Sequence, residues 1–230
     1  FHTYPASMIP EVPRELIQRY APSSGGRLLD PFCGSGTVLV EARLHGLDCT
    51  GFDVNPLARE ISDLKTRNYD INRISKFLQR FQVELERAKE NPVSLDDCIN
   101  RSGFPGEVIS KWFTDDSIIE IGTVLDCIER VDGSELYKRF ARLALSGCIR
   151  SVSFQRNNEN KLYRMGIEDQ SQHKPHLYSM YEEKLRENLD GLSEFQSILS
   201  AEGFGGTNAA IREVDVVNMD LRKRGRTDYD

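Results

Sequence analysis

The chain has 230 residues, of which 39% are apolar and 29% charged, enough to bury a core and to form one elaborated domain. Its formal net charge of -6 excludes binding to a polyanion over the whole surface, so any nucleic-acid contact has to sit in local basic patches. No run reaches the roughly 18 uninterrupted apolar residues of a membrane span. The five cysteines (Cys33, Cys49, Cys98, Cys127, Cys148) show neither a CxxC pair nor a zinc-like histidine spacing, which implies a reduced, cytoplasmic setting without a structural metal.

The chain opens at Phe1 without a methionine and reads as a trimmed or partial sequence. After a proline-punctuated start, Pro13 to Ala21 reads as a short helix, ended by Gly25 and Gly26. Arg27 to Asp30 is a short apolar run ending in an acid, Pro31 to Thr37 is glycine-rich, and Val38 to His45 is helical. Cys49 to Val54 predicts a second strand ending near Asp53, and Asn55-Pro56 starts another helix. From Ile61 to about Ser200 the pattern is helical. Ile74, Phe77, Leu78, Phe81 and Leu85 share one predicted face, and Ile118, Ile119, Ile121, Leu125 and Ile128 share another. A last strand signal covers Ile211 to Val217, followed by a basic cluster at Arg222, Lys223, Arg224 and Arg226.

Strand, glycine loop, helix, second strand is the start of a parallel α/β sheet, whose ligands bind beyond the carboxyl ends of the strands. Gly34 and Gly36 let the backbone approach a ligand closely. Asp53 can accept hydrogen bonds from both hydroxyls of a ribose, so the pattern selects a ribosylated cofactor. A dinucleotide fingerprint needs a third glycine where this chain has Leu39, which disfavours a nucleotide-dependent dehydrogenase.

The run Leu28-Leu29-Asp30-Pro31-Phe32-Cys33-Gly34-Ser35-Gly36-Thr37 resembles motif I of the amino-methyltransferases, and Gly51-Phe52-Asp53-Val54-Asn55 resembles their motif II. The segment from His2 and Thr3 through Ile17 is similar to motif X of the DNA amino-methyltransferases, which precedes motif I in circularly permuted members. Lys111 to Thr114, Arg150 to Ser153 and the charged helix after Pro175 are looser matches to the helical region of DNA methylases acting on cytosine N4 or adenine N6. Glu213 to Leu221 then resembles motif III.

The resemblance implies S-adenosyl-L-methionine as cofactor, held by His2, Thr3, Asp30, Pro31, Phe32, Cys33, Gly34, Ser35, Gly36, Thr37, Asp53, Val54 and Asp220. It implies an α/β fold of the Rossmann-like methyltransferase type, incomplete in this chain, with a large and mostly helical insertion. Residues 1–64 form the first cofactor-binding part, 65–205 the insertion for target recognition or DNA contact, and 206–230 the return to the sheet. The attacking cysteine of a cytosine-carbon methyltransferase follows a proline, whereas Cys33 follows Phe32, so Cys33 is not read as a nucleophile.

Transfer to an exocyclic amine needs an acceptor pocket, which the family builds from an (Asp, Asn or Ser)-Pro-Pro-(Tyr or Phe) tetrapeptide whose aromatic ring stacks on a flipped base. No Pro-Pro dipeptide occurs in the chain, so no catalytic residue is assigned. The sequence is expected either to be the N-terminal portion of a longer enzyme or to need a second polypeptide carrying the acceptor motif. DNA is the expected partner, possible contacts being the basic residues Arg150, Arg156, Lys161 and Arg164 with interleaved Ser, Gln and Asn. Two other readings stay open: an RNA guanine-N2 methyltransferase, which carries a similar loop, and a cofactor- or DNA-binding subunit without chemistry. A role in restriction and modification belongs with the DNA reading.

Overall fold

Three short parallel strands and ten helices appear among the described residues, which in this computed structural model are residues 2 and 4 with 7–22, 25–156 and 161–213. The chain divides into two compact units, one made of Thr3–Tyr69 with Asp190–Asp230 and the other of Phe1–His2 with Asp70–Leu189.

The first unit holds the sheet. Helix α1 (Glu11–Tyr20) carries Pro13 in its first turn, where a missing amide proton costs nothing, and buries Pro13 and Ile17. Strand β1 (Arg27–Asp30) leads through the glycine loop into α2 (Thr37–Leu44), and β2 (Asp48–Asp53) into α3 (Pro56–Thr66). Asn55 caps α3 by accepting the amide of Leu57, with Pro56 in the position that needs no donor. Strand β3 (Ala209–Glu213) completes the order β1-β2-β3, with Asp30 opposite Gly51 and Asp53 opposite Glu213. Because both pairs are parallel, β1 and β2 deliver their acidic carboxyl ends, Asp30 and Asp53, to one edge of the sheet, where Glu213 of β3 stands opposite Asp53.

Ile17, Cys33, Leu39, Ala42, Leu47 and Cys49 form the buried core beside the sheet, with Leu28, Ala209 and Ile211 packed against it. One fully buried cation serves this core. Arg43 on α2 donates to the Thr66 carbonyl, to Asn68 Oδ1 at 2.7 Å and to Thr207 Oγ1 at 3.2 Å, and lies over the Phe195 ring. It thus ties the end of α3 to the segment that enters β3. Burial pulls its pKa below the ordinary arginine value. Glu41, also buried, receives a bidentate pair of 2.9 Å bonds from Arg14, which fastens α1 to α2.

The second unit is helical: α4 (Ile71–Glu90), α5 (Leu95–Ser102), α6 (Gly106–Ile109), α7 (Asp115–Arg130), α8 (Glu135–Val152), α9 (Ile167–Gln172) and the first part of α10 (Leu177–Ala201). Side-chain caps at Asp70, Ser94 and Thr114 start α4, α5 and α7. The stripe predicted on α4 is buried at Ile74, Phe77, Phe81 and Leu85. Phe81 meets the fully buried Tyr181 edge to face, and Tyr181 donates to the Ala141 carbonyl at 3.2 Å.

On α7 the buried set is Ser117, Ile118, Thr123, Val124, Cys127 and Ile128, while Leu125 remains 39% exposed. The predicted face was therefore rotated. This helix packs against α4, α5 and α8 together, and two of its buried positions are polar. Thr123 accepts the Val93 amide, and Ser117 donates to the Val152 carbonyl. Hydrophobic spacing alone cannot signal positions buried by hydrogen bonding.

Candidate cofactor site

The site grows from the loop between β1 and α2. Gly34 and Gly36 adopt left-handed backbone, φ 49° and 80°. A Cβ on Gly36 would lie 2.8 Å from Ser62 Oγ and 3.1 Å from Ser62 Cα, so the loop presses onto α3 at a point where no side chain fits. Three further bonds fasten it: Cys33 N–H to the Phe52 carbonyl at 2.9 Å, Ser62 Oγ to the Gly34 carbonyl at 2.7 Å, and Lys65 Nζ to the Ser35 carbonyl at 2.9 Å. Leu39 fills the space over Gly51, where a Cβ would come within 2.6 Å of its Cδ1. The position that a dinucleotide site gives to glycine is here a core residue.

Asp53 closes the loop from the neighbouring strand. Its Oδ2 accepts the Gly34 N–H at 2.9 Å and its Oδ1 accepts the Asn55 N–H at 2.8 Å. Each oxygen keeps a further lone pair for a ligand hydroxyl. Asp30 accepts the Phe32 N–H at 3.0 Å. Burial pushes its carboxyl above the ordinary aspartate value, the Phe32 bond opposes this, and the charge of Asp53 adds to it. Lys65 is held below the ordinary lysine value by burial. Burial also pushes the Cys33 thiol up to about 11, the opposite of what a nucleophile needs. Phe32 and Val54 stand 74% and 65% exposed beside the acids, two apolar surfaces left open by the sheet unit.

The structure thus brings Asp30, Pro31, Phe32, Cys33, Gly34, Ser35, Gly36, Thr37, Asp53 and Val54 to the carboxyl edge of β1 and β2. Thr3 and Asp220 lie outside the described residues. His2 belongs to the helical unit, where its Nε2 is 3.3 Å from Ser146 Oγ. Ser62, Lys65 and Arg59 shape the site without having carried a readable signal, whereas Tyr4 and Ser7 fall in the segment similar to motif X. Ser62 and Lys65 hold the loop from α3. Tyr4 has its ring within 3.7 Å of the position a Gly34 Cβ would take and its hydroxyl accepting from Asn55 Nδ2. Ser7 lies 3.2 Å from Ser35 Oγ. Arg59 holds the end of β2 by donating to the carbonyls of Asp53 and Val54, and it pairs with Glu213 at 2.7 Å.

In the predicted DNA-contacting segment, Gln155 and Arg164 form an antiparallel bridge, and Arg164 donates to the Lys111 carbonyl at 3.3 Å. Arg150 reaches the Arg156 carbonyl at 3.5 Å, and residues 157–160 lie outside the described set. Two of its four cations are thus engaged with backbone. Among the described residues no cluster of His, Cys, Asp or Glu could hold a metal ion, and no helix is long and apolar enough to cross a membrane.

Residues 2–95 match the RMKL-like methyltransferase domain. The chain is 33% identical over 200 residues to the type II methyltransferase M.MvaI of Kocuria varians, covering 85% of this chain and 43% of that protein. It is 32% identical over 96 residues to the type II methyltransferase M.MjaII of Methanocaldococcus jannaschii, 42% of this chain and 17% of that one. A tRNA (guanine(10)-N2)-dimethyltransferase of Methanothermobacter thermautotrophicus is 42% identical over 52 residues, 23% of this chain and 16% of that protein. The chain therefore spans less than half the length of these relatives. No solved structure matches it. With its glycine loop and acids placed as described, the chain carries a match to a methyltransferase domain over residues 2–95 and is similar to a type II methyltransferase over 85% of its length.

Proposed function

We propose that the protein uses S-adenosyl-L-methionine to methylate an exocyclic amino group, cytosine N4 or adenine N6, in DNA. The observation that carries this reading is the closed loop at the sheet edge. Asp53 is fixed by two backbone N–H bonds and yet keeps acceptor capacity toward the crevice. The fit to the cofactor is chemical: paired acceptors suit ribose hydroxyls, exposed Val54 beside them suits the flat face of an adenine, and the loop from Asp30 to Gly36 suits the amino-acid end. When bound, the cofactor supplies a methyl group on a positively charged sulfur.

The chain's own residues position rather than react. Asp53 orients the ribose, Asp30 offers a carboxylate to an ammonium, and the neutral Cys33 supports the loop from within the core. Beside the loop, α2 begins with its positive dipole end. In this reading the sheet unit is the Rossmann-like cofactor-binding part and the helical unit is the insertion that contacts DNA.

The acceptor pocket is then supplied by a segment beyond these residues. Among the described residues β1 stands at the edge of the sheet, and a groove of about 580 Å³ runs beside it, lined by Leu28, Leu29, Val38 and the exposed Val12, Leu16 and Tyr20 of α1. An apolar-flanked open edge suits the addition of one more strand. Similarity over 200 residues to a type II methyltransferase favours DNA, whereas the similarity to tRNA (guanine(10)-N2)-dimethyltransferases extends over 52 to 93 residues.

A tritiated-methyl transfer assay with the full-length protein tests the function. Label in duplex DNA, recovered as N4-methylcytosine or N6-methyladenine after digestion to nucleosides, is expected. Label in transfer RNA alone would replace this reading with the guanine-N2 one.

A further inference from the structure

The helical unit carries a second surface that the site at the sheet edge does not use. A groove of about 850 Å³ lies between α4 and the turn joining α7 to α8, lined by Lys76, Gln79, Arg80, Val83, Glu84, Arg87, Arg130, Val131 and Asp132. Four cations face two acids there, on a chain whose net charge is -6. Glu84 is already engaged by Arg130 at 3.4 Å, and Arg130 also meets Asp126 at 2.8 Å. Lys76, Arg80 and Arg87 are exposed, and none of them makes an ion pair among the described residues. Among the described residues, the only side-chain bond of this trio is Arg80 Nε to the Lys76 carbonyl at 3.4 Å.

Positions 76, 80, 83 and 87 fall on one face of α4. At about 1.5 Å rise per residue, Lys76 and Arg87 lie about 16 Å apart along the helix axis, the length of roughly five nucleotide steps at about 3.4 Å. Gln79 and Gln82, both exposed, add donors and acceptors beside the cations. Three exposed cations along one concave face, with Asp132 the one acid of the groove not engaged by Arg130, give a local positive potential that suits an anion of matching length.

We infer that this α4 groove holds the phosphate backbone of duplex DNA. The inference rests on the methyltransferase reading only for the choice of DNA as the polyanion. It places the main backbone contact on α4 instead of on Arg150, Arg156, Lys161 and Arg164.

The test is fluorescence anisotropy of a labelled DNA duplex against the full chain at several salt concentrations. The parent is compared with Lys76→Gln/Arg80→Gln/Arg87→Gln and, separately, with Arg156→Gln/Lys161→Gln. Each phosphate contact contributes about 0.9 to the slope of log K against log salt, so the triple variant should be shallower by close to 3 units. The Arg156/Lys161 pair should leave the slope nearly unchanged. An unchanged slope in the triple variant, a larger shift in the other pair, or stronger binding to an RNA stem of the same length would overturn the inference. S-adenosylhomocysteine affinity is measured on the same samples. If it is retained while the slope fails to change, only the groove falls; if the parent does not bind the cofactor product but the slope responds, the methyltransferase reading falls and the groove survives. Because the three side chains are exposed, circular dichroism should show the same fold in every variant.

Discussion

Gly36→Ala separates two physical costs that a glycine loop usually confounds. Gly36 sits at φ 80°, and its missing Cβ would lie 2.8 Å from Ser62 Oγ and 3.1 Å from both Ser62 Cα and Ser62 Cβ. Gly203, in the same unit, has nearly the same backbone, φ 75°, but a Cβ there would meet nothing within 4 Å. Placing alanine in left-handed backbone costs about 1 to 2 kcal/mol, so Gly203→Ala should lose that amount and no more. Gly36→Ala carries the same strain plus an overlap with backbone that cannot swing away, since Ser62 Cα lies inside α3. A further 1 to 3 kcal/mol is the usual cost of overpacking, for a total of about 2 to 5 kcal/mol. Urea unfolding of both variants measures the difference, and titration with S-adenosylhomocysteine should show weakened binding for Gly36→Ala only. Equal destabilisation by the two variants would refute the claim that contact with α3, and not backbone conformation alone, requires glycine at position 36.

Other consequences can be measured on the same protein. Arg43→Met keeps the apolar stem but leaves the Thr66 carbonyl, Asn68 and Thr207 without their donor, and should cost about 3 kcal/mol or more in urea unfolding; a loss below about 1 kcal/mol would contradict the role given to this buried cation. Asp30 has its folded pKa raised, so the stability it contributes is fully present below its ordinary value of 3.8 and is lost as pH rises through the folded value. At neutral pH its charge is therefore a cost, and Asp30→Asn should raise the melting temperature while weakening cofactor binding; a lower melting temperature would reverse the sign of that argument. The thiols of Cys33, Cys49 and Cys148 are pushed up to about 11, about 12 and about 11. Their contribution is complete below the ordinary thiol value of 9.0 and disappears as pH rises through 11 to 12, so stability should fall on that alkaline limb and native thiols should resist alkylation at pH 8.

The sheet edge was readable because a short parallel strand ending in an acid, followed by two glycines, leaves few other conformations open. Strand β1 was predicted at its observed bounds, Arg27–Asp30, and β2 within one residue at each end. The fastening of the loop was not readable. Ser62 and Lys65 look like ordinary polar positions of an amphipathic helix until α3 folds back over residues 34–36. Arg43 is the sharpest case: on α2 a lone arginine reads as solvent-facing, yet it is fully buried because its partners come from sequence as distant as Thr207. The phase of α7 escaped for a related reason, since burial of Thr123 and Ser117 depends on hydrogen bonds from other elements. The α4 stripe was legible on its apolar side, while the cations opposite became informative only once they lined one groove.

Calorimetric titration of S-adenosylhomocysteine into the parent, Asp53→Ala and Asp53→Asn tests the central claim most directly. Removing the ribose contacts should cost about 1.5 to 3 kcal/mol, at least a tenfold loss of affinity, in Asp53→Ala. Asp53→Asn keeps one acceptor oxygen and should fall between the two, with each variant still folded by circular dichroism. A parent that binds the cofactor product and an Asp53→Ala variant that binds it equally well would remove Asp53 from the site and contradict the account.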